Sequence, residues 1–436
     1  MSHWLDEYKS KTTKSRQLFD RASHVLPGGV SYAIRDFAPY PFYVHHASGA
    51  NLWDLDGNAY KDYWLGHGAL ILGHAHPRVI EAVTQQVRQG SHYGFSHVLE
   101  VELAELVTRM VPSAEMVRFT SSGTEANMYA VRLARTYTGR QKIAKFEGGW
   151  HGGYDVLQVA VHAPFDKPES GGIDPKSQEN TVVLPFNDLG QAEQALRKEE
   201  IAGVLIEPVL GVAGFIDADR EFLIGLKKLC EERGTLLMFD EVITGFRLAP
   251  GGAQQLFGVK PDITVLGKIL GGGFPIGGIC GRRDVFEKID HRGIPDASRR
   301  SFHGGTFSGN PVSMAAGIAT LNELQHSQAY DRLGGLGEKT RKELGHAAAK
   351  HDVEASITGI GSTFCIHFQK DRPRDARQAA RDDLKKATAL HDYLLSKHVI
   401  YVSPTNPHMF LSTEHTEQDI DKLLIHIDEF FEMTEK

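Results

Sequence analysis

Between about residues 100 and 325, short apolar runs alternate with amphipathic helical stretches, and this alternation constrains the fold more than any other feature. The runs 116–120, 142–146, 155–161, 204–206, 236–239 and 263–266 are too short for helices and are bounded by turn residues, which marks them as strands. Helical spacing recurs between them, as at 125–136 and 220–232. Strands separated by helices cannot close hairpins, so they pair in parallel through crossovers. The expected class is α/β, with a large domain over 100–325 built on a mostly parallel sheet. In an open sheet of this kind, ligands bind beyond the carboxyl ends of the strands. The residues that follow each run are therefore the candidates for chemistry.

Two of those ends carry charge. The run 263–266 leads into Gly267-Lys268 and then Gly271-Gly-Gly-Phe-Pro275. A lysine among apolar side chains and tight backbone loses solvation, which lowers its pKa and frees the neutral amine. Schiff-base chemistry with an aldehyde needs such an amine, although a lysine that snorkels from a strand end has the same local sequence. The run 236–239 leads into Asp240. A carboxylate there points into the crevice, and taken alone it also suits a helix cap. Together, amine and carboxylate are the pair that pyridoxal phosphate requires. The lysine holds the cofactor, and the acid keeps the ring nitrogen protonated so that the ring takes up electrons.

Three loops fit the same cofactor. Thr120-Ser-Ser-Gly-Thr-Glu-Ala-Asn127 joins a strand to a helix and offers amides, hydroxyls and a positive helix end to an anion; simple capping by Ser122 or Thr124 is its structural alternative. Glu147-Gly-Gly-Trp-His-Gly-Gly153 sets four glycines around Trp150, an indole suited to stacking on a flat ring. Val242 shares a strand face with Asp240 and suits the other side of that ring. Glu207-Pro208 ends a further run, as support for the site or as a cap. His303-Gly-Gly-Thr306 is a second phosphate-loop candidate through Thr306.

Elsewhere, residues 4–25 read as one helix and Asp56-Gly57 as a hairpin turn. Residues 163–180 are too long and too rich in proline, glycine and charge for a simple connection, and read as an active-site lid. After about 325 the pattern becomes α+β: helices near 331–350, 381–396 and 417–433, with strands at 362–368, 399–402 and 409–412. The expected division is 1–99, an N-terminal segment joined to a small domain; 100–325, the large domain; and 326–436, the rest of the small domain. His74 and His76, two apart before a proline, read as a loop and not a metal site. The chain has 436 residues, 24% charged, with a formal net charge of −7. No basic patch or long apolar stretch calls for nucleic acid or membrane. Three scattered cysteines and an N-terminus without an apolar core lead to the expectation of a cytoplasmic protein.

As a set these motifs resemble one family: the class III pyridoxal-phosphate aminotransferases of fold type I, in the glutamate-1-semialdehyde 2,1-aminomutase branch. The matching segments, in order, are Pro27-Gly-Gly-Val30 with Arg35, Gly73-His-Ala-His-Pro77, Ser122-Gly-Thr-Glu-Ala126, Trp150-His-Gly152, Glu207-Pro208, Asp240-Glu-Val-Ile-Thr-Gly-Phe-Arg247, Gly267-Lys268 and Gly305-Thr-Phe-Ser-Gly-Asn-Pro311. The resemblance implies that Lys268 carries the cofactor aldimine and that Asp240 meets the pyridine nitrogen. It implies that Ser122, Gly123 and Thr124 hold the phosphate, and that Trp150 and Val242 flank the ring with His151 and Glu207 in the same site. It implies a homodimer in which Thr306 reaches the phosphate of the neighbouring subunit, and Arg35 as the residue that holds a substrate carboxylate. Departures from the aminomutase pattern fall at Val212, at the lid start His162-Ala-Pro-Phe165, and at 404–409, a wall of the substrate pocket. The resulting expectation is an aminotransferase that moves an amino group from a carboxylate-bearing amine to a keto acid or aldehyde. The intramolecular aminomutase is the alternative, and a non-catalytic cofactor-binding homologue or a racemase or decarboxylase is a weaker one.

Overall fold

The computed structural model describes residues 2–326, 328–401 and 408–434. The chain forms two units. The large one holds Pro77–Asp331 together with Pro373–Ala380, and the small one holds Met1–His76, Arg332–Arg372 and Arg381–Lys436.

The large unit is built on seven strands: β1 (Met116–Thr120), β2 (Lys142–Phe146), β3 (Thr181–Leu184), β4 (Ile201–Ile206), β5 (Leu236–Asp240), β6 (Ile263–Gly267) and β7 (Gly277–Gly281). Their order across the sheet is β1-β7-β6-β5-β4-β2-β3. Neighbours from β6 through β3 run parallel, while β7 is antiparallel to both β6 and β1. Every residue of β4, β5 and β6 is buried, as expected of strands covered by helices on both faces. Helix α1 (Gly123–Thr138) packs its Ala126, Ala130, Val131 and Ala134 into that core. Ser122 caps α1 by accepting the Glu125 N–H at 3.2 Å, Glu125 reaches back to the Ser121 N–H at 2.7 Å, and Gly139 ends the helix with φ near 74°.

The small unit has an antiparallel sheet of Val44–Ser48, Asn51–Asp54 and Ala59–Asp62, extended in parallel by Val399–Ile400. An aromatic cluster around Tyr8, Tyr40 and Tyr60 packs beside it. A second sheet joins Ser356–Thr358, Thr363–His367 and Met409–Phe410. The helix Glu417–Thr434 buries Ile420, Leu423, Ile427, Phe430 and Phe431 on one face.

Three expectations change, and the sheet gains a strand that the sequence pattern did not mark. The run 155–161 is not a strand: Asp155–Leu157 is a 3₁₀ turn, and the carbonyls of Leu157 and Val159 are taken by the buried amine of Lys145. Gly277–Gly281 is a strand despite its glycines, because the neighbouring chains leave no room for side chains. A Cβ on Gly277 would collide with the Ser122 carbonyl, and one on Gly281 with that of Asp262. The N-terminal helix breaks in two at Thr12, whose hydroxyl bonds the Tyr8 carbonyl at 2.7 Å. The stretch 381–396 is helical only over Leu384–Ser396, capped by Asp383, with a separate short helix at Ala376–Ala379. Residues 404–407 of the expected pocket wall, and residue 402, lie outside the described residues.

Candidate active site

The large unit gathers its functional side chains at the carboxyl ends of β1, β2, β4, β5 and β6. Lys268 follows β6 directly and adopts φ near 46°, a left-handed backbone that costs a non-glycine residue energy. Desolvation lowers its ammonium pKa, and the negative charges of Asp240 and Glu207 oppose that shift. The neutral amine is therefore more accessible than on a surface lysine.

Asp240, at the last position of β5, is 4% exposed. Its Oδ1 accepts the Val242 N–H at 3.0 Å, and its Oδ2 accepts from Asn127 Nδ2 at 2.8 Å and lies 2.7 Å from His151 Nδ1. Burial lowers the His151 pKa against the pull of Asp240, so the imidazole is neutral with its proton on Nδ1, and Nε2 has no partner. Three donors thus fix one carboxylate, as a buried carboxylate needs.

Val242 lies between the α1 entrance and the lysine strand. A Cβ on Gly123 would stand 3.1 Å from Val242 Cγ2, and one on Gly267 3.2 Å from Cγ1. The Ser122 oxygen accepts in the cap, which leaves its O–H as a donor, so the helix start offers an anion that hydroxyl together with the amides of Gly123 and Thr124. Thr124 Oγ1 accepts the Gly153 N–H at 3.2 Å, which draws the Trp150 loop against the same helix start. Gly152 makes this approach possible: its φ is near 83°, and a Cβ there would come within 2.7 Å of Thr124 Cα. Trp150 is half-buried, and its N–H bonds Glu207 Oε1 at 2.7 Å. Glu207 is 4% exposed, holds the Gly211 N–H at 3.0 Å with Oε2, and is pushed up to about 8 by burial and by Asp240. Its contacts are with backbone amides that shape the site.

Thr306 sits in an exposed turn of the large unit. Arg35 ends a 3₁₀ turn of the small unit, Ala33–Arg35. It lines a cavity of about 320 Å³ with Phe37, Phe42, Leu52, Trp64 and Tyr401. Among the described residues, Trp64 Nε1 and Tyr401 Oη are buried there and have no partner. His74 bonds Asp62 at 2.7 Å. Asn127 and Lys145 are the functional candidates missing from the sequence reading. The only signal for Asn127 is a polar side chain on the buried face of α1, four residues after Gly123.

A desolvated amine, a buried carboxylate fixed by three donors, and a helix start with free amides define the site of a fold type I pyridoxal-phosphate enzyme, and these residues fit the cofactor. The chain belongs to the class III aminotransferase family: the profile described as "Aminotransferase class-III" matches residues 32–423. A curated relative from Methanopyrus kandleri, named glutamate-1-semialdehyde 2,1-aminomutase, is 42% identical over 95% of this chain and 96% of its own length. A β-phenylalanine aminotransferase structure from Variovorax paradoxus superposes with a TM-score of 0.90 at 34% identity, covering 98% of this chain and 96% of that one. A glutamate-1-semialdehyde aminomutase structure from Pseudomonas aeruginosa, in complex with PMP, gives 0.91 at 26% identity, covering 100% and 97%. The protein is thus a pyridoxal-phosphate-dependent enzyme of the class III aminotransferase family, and no helix among its described residues is long and apolar enough to cross a membrane.

Proposed function

We propose that this enzyme transfers an amino group within one substrate molecule, as a glutamate-1-semialdehyde 2,1-aminomutase. The observation that carries this reading is the 42% identity, over nearly the full length of both chains, to a curated relative of that name. Sequence motifs alone put transfer to a second molecule first, and the curated relatives favour the intramolecular alternative.

The residues have distinct tasks. When bound, pyridoxal phosphate supplies a carbonyl carbon for the amine and a ring that takes up electrons. Lys268 would hold the cofactor, and its neutral amine would then move the proton at the substrate carbon. Asp240, oriented by Asn127, His151 and the Val242 amide, would hold the ring nitrogen. The Ser122 hydroxyl and the amides of Gly123 and Thr124 would hold the phosphate. Trp150 and Val242 would lie on either side of the ring, with Glu207 holding the Trp150 backbone. Arg35 would take the substrate carboxylate, and Thr306 would serve the neighbouring site of a homodimer. A reducing, cytoplasmic setting suits three cysteines that are all buried and unpaired.

A second reading, transfer from a carboxylated amine with an apolar body to a keto acid, is favoured by the cavity at Arg35. Its walls are mostly aromatic and aliphatic, with Asp62 and His391 among them, and Arg35 with the Trp64 and Tyr401 donors suits a carboxylate. One experiment separates the two. Glutamate 1-semialdehyde is mixed with holoenzyme and no acceptor. Sustained formation of 5-aminolevulinate over many turnovers is expected. A stall after about one product per site, relieved by 2-oxoglutarate or pyruvate, would establish the transferase instead.

A further inference from the structure

Lys145 has no task in the proposed chemistry, yet it is 0% exposed near the end of β2. An ammonium tolerates such burial only when each donor is met. Its three N–H groups face three backbone carbonyls: Gly149 at 2.9 Å, Leu157 at 2.9 Å and Val159 at 2.7 Å. The Gly149 carbonyl belongs to the peptide group whose N–H is that of Trp150, and Glu207 takes that N–H at 2.7 Å. One peptide plane is therefore gripped at both ends. The ammonium holds the negative end of its dipole and the carboxylate holds the positive end. Rotating the plane would break both bonds and leave each buried group one hydrogen bond short, Glu207 with Gly211 alone and Lys145 with Leu157 and Val159. The other two bonds of Lys145 hold the chain that enters 163–180.

We propose that Lys145 is a positioning residue: with Glu207 it locks the Gly149–Trp150 peptide and so sets the Trp150 indole, and through Leu157 and Val159 it ties that setting to the base of the 163–180 segment. The inference rests on the reading that Trp150 lies against the cofactor ring. The groups that face Lys145 are Glu207, Glu169 and Asp240, with His151 also within its field, and those that face Glu207 include Asp240 and Lys268. Burial pushes Lys145 down to about 7 and Glu207 up to about 8, so both ends of the clamp titrate near neutrality. The clamp is strongest with the lysine charged and the glutamate ionised, a pairing whose population peaks between those two values and falls on either side. It weakens as pH falls and Glu207 takes a proton, and again as pH rises and Lys145 loses one.

The test uses holoenzyme and Lys145→Met, which keeps chain length and removes the donors. Trp150 fluorescence is isolated by subtracting Trp150→Phe, since the chain has four tryptophans. It is read beside the visible circular dichroism of the bound cofactor. Lys145→Met is expected to keep the cofactor on Lys268 by mass spectrometry, to change the dichroic amplitude about twofold, and to lower kcat roughly ten- to a hundredfold with little change in KM. The wild-type Trp150 signal is expected to follow a bell between about pH 6 and 9 that is flat in the variant. A folded Lys145→Met with wild-type dichroism and the same pH profile would overturn the proposal. If the variant does not fold, a wild-type Trp150 signal that is constant across that pH range overturns it equally. Should Trp150→Phe leave the dichroism unchanged, the stacking reading fails, while the fluorescence profile still decides the clamp.

Discussion

Lys268 and Asp240 are exposed by their local sequence, because a charge at the end of an apolar run has no packing reason to be there. Asn127 and Lys145 are hidden for different reasons: the partner of Asn127, Asp240, lies 113 residues away, and the carbonyls that Lys145 meets, though only 4 to 14 residues on, belong to an irregular segment whose path the sequence pattern does not show. The Ser122 hydroxyl shows a third outcome, since its oxygen accepts in the cap while its O–H remains a donor, so capping and phosphate binding are compatible. Burial of single groups also sets acid stability. His415 is fully buried in the small unit, and its Nδ1 accepts the Ser412 N–H at 3.1 Å. Burial, with Lys61 nearby, pushes it down to about 4. Its folded pKa lies below its unfolded one, so the unfolded chain takes the proton first and stability falls as pH drops from about 6.5 towards 4. His415→Asn, which keeps an acceptor for Ser412, is expected to lose about 2 kcal/mol less than wild type between pH 7.5 and 4.5 in urea unfolding. Parallel pH profiles for the two proteins would contradict this.

At the scale of elements, the central strands are legible because continuous apolar runs bounded by turns have few other uses. The misread elements share a physical cause. In 155–161 the apolar run is real, and Val156 and Leu157 are buried, but a lysine on a neighbouring strand takes the carbonyls that a ladder would need. β7 went unmarked because its glycines carry no apolar pattern, and those glycines are what close approach to Ser122 and Asp262 demands. The Trp150 loop depends on glycine in the same way. Gly152→Ala places a Cβ against the Thr124 backbone at a left-handed φ, so it is expected to destabilise the enzyme by about 2 kcal/mol and to weaken cofactor retention at least tenfold. Chemical denaturation and cofactor release on dialysis would check both. An alanine variant that keeps wild-type retention would show that the loop does not need this contact.

Across the whole molecule, the motifs at Ser122, Trp150, Glu207, Asp240 and Lys268 each fall at or just after the carboxyl end of a strand, which is why the family could be read before the fold. The assembly was not legible in the same way, because a residue that serves a neighbouring subunit looks like any exposed turn. Thr306 is exposed, and Phe95, Val98, Phe302 and Phe307 stand out from the large unit at 85, 65, 65 and 58% exposure. Apolar surface of that extent supports the proposed homodimer. All of these readings depend on one residue, the buried lysine after β6. Holoenzyme reduced with borohydride and digested should show the cofactor mass on the peptide that contains Lys268, and Lys268→Ala should lose both the adduct and turnover while it stays folded. An adduct on any other lysine, or a fully active Lys268→Ala, would contradict the assignment of this site.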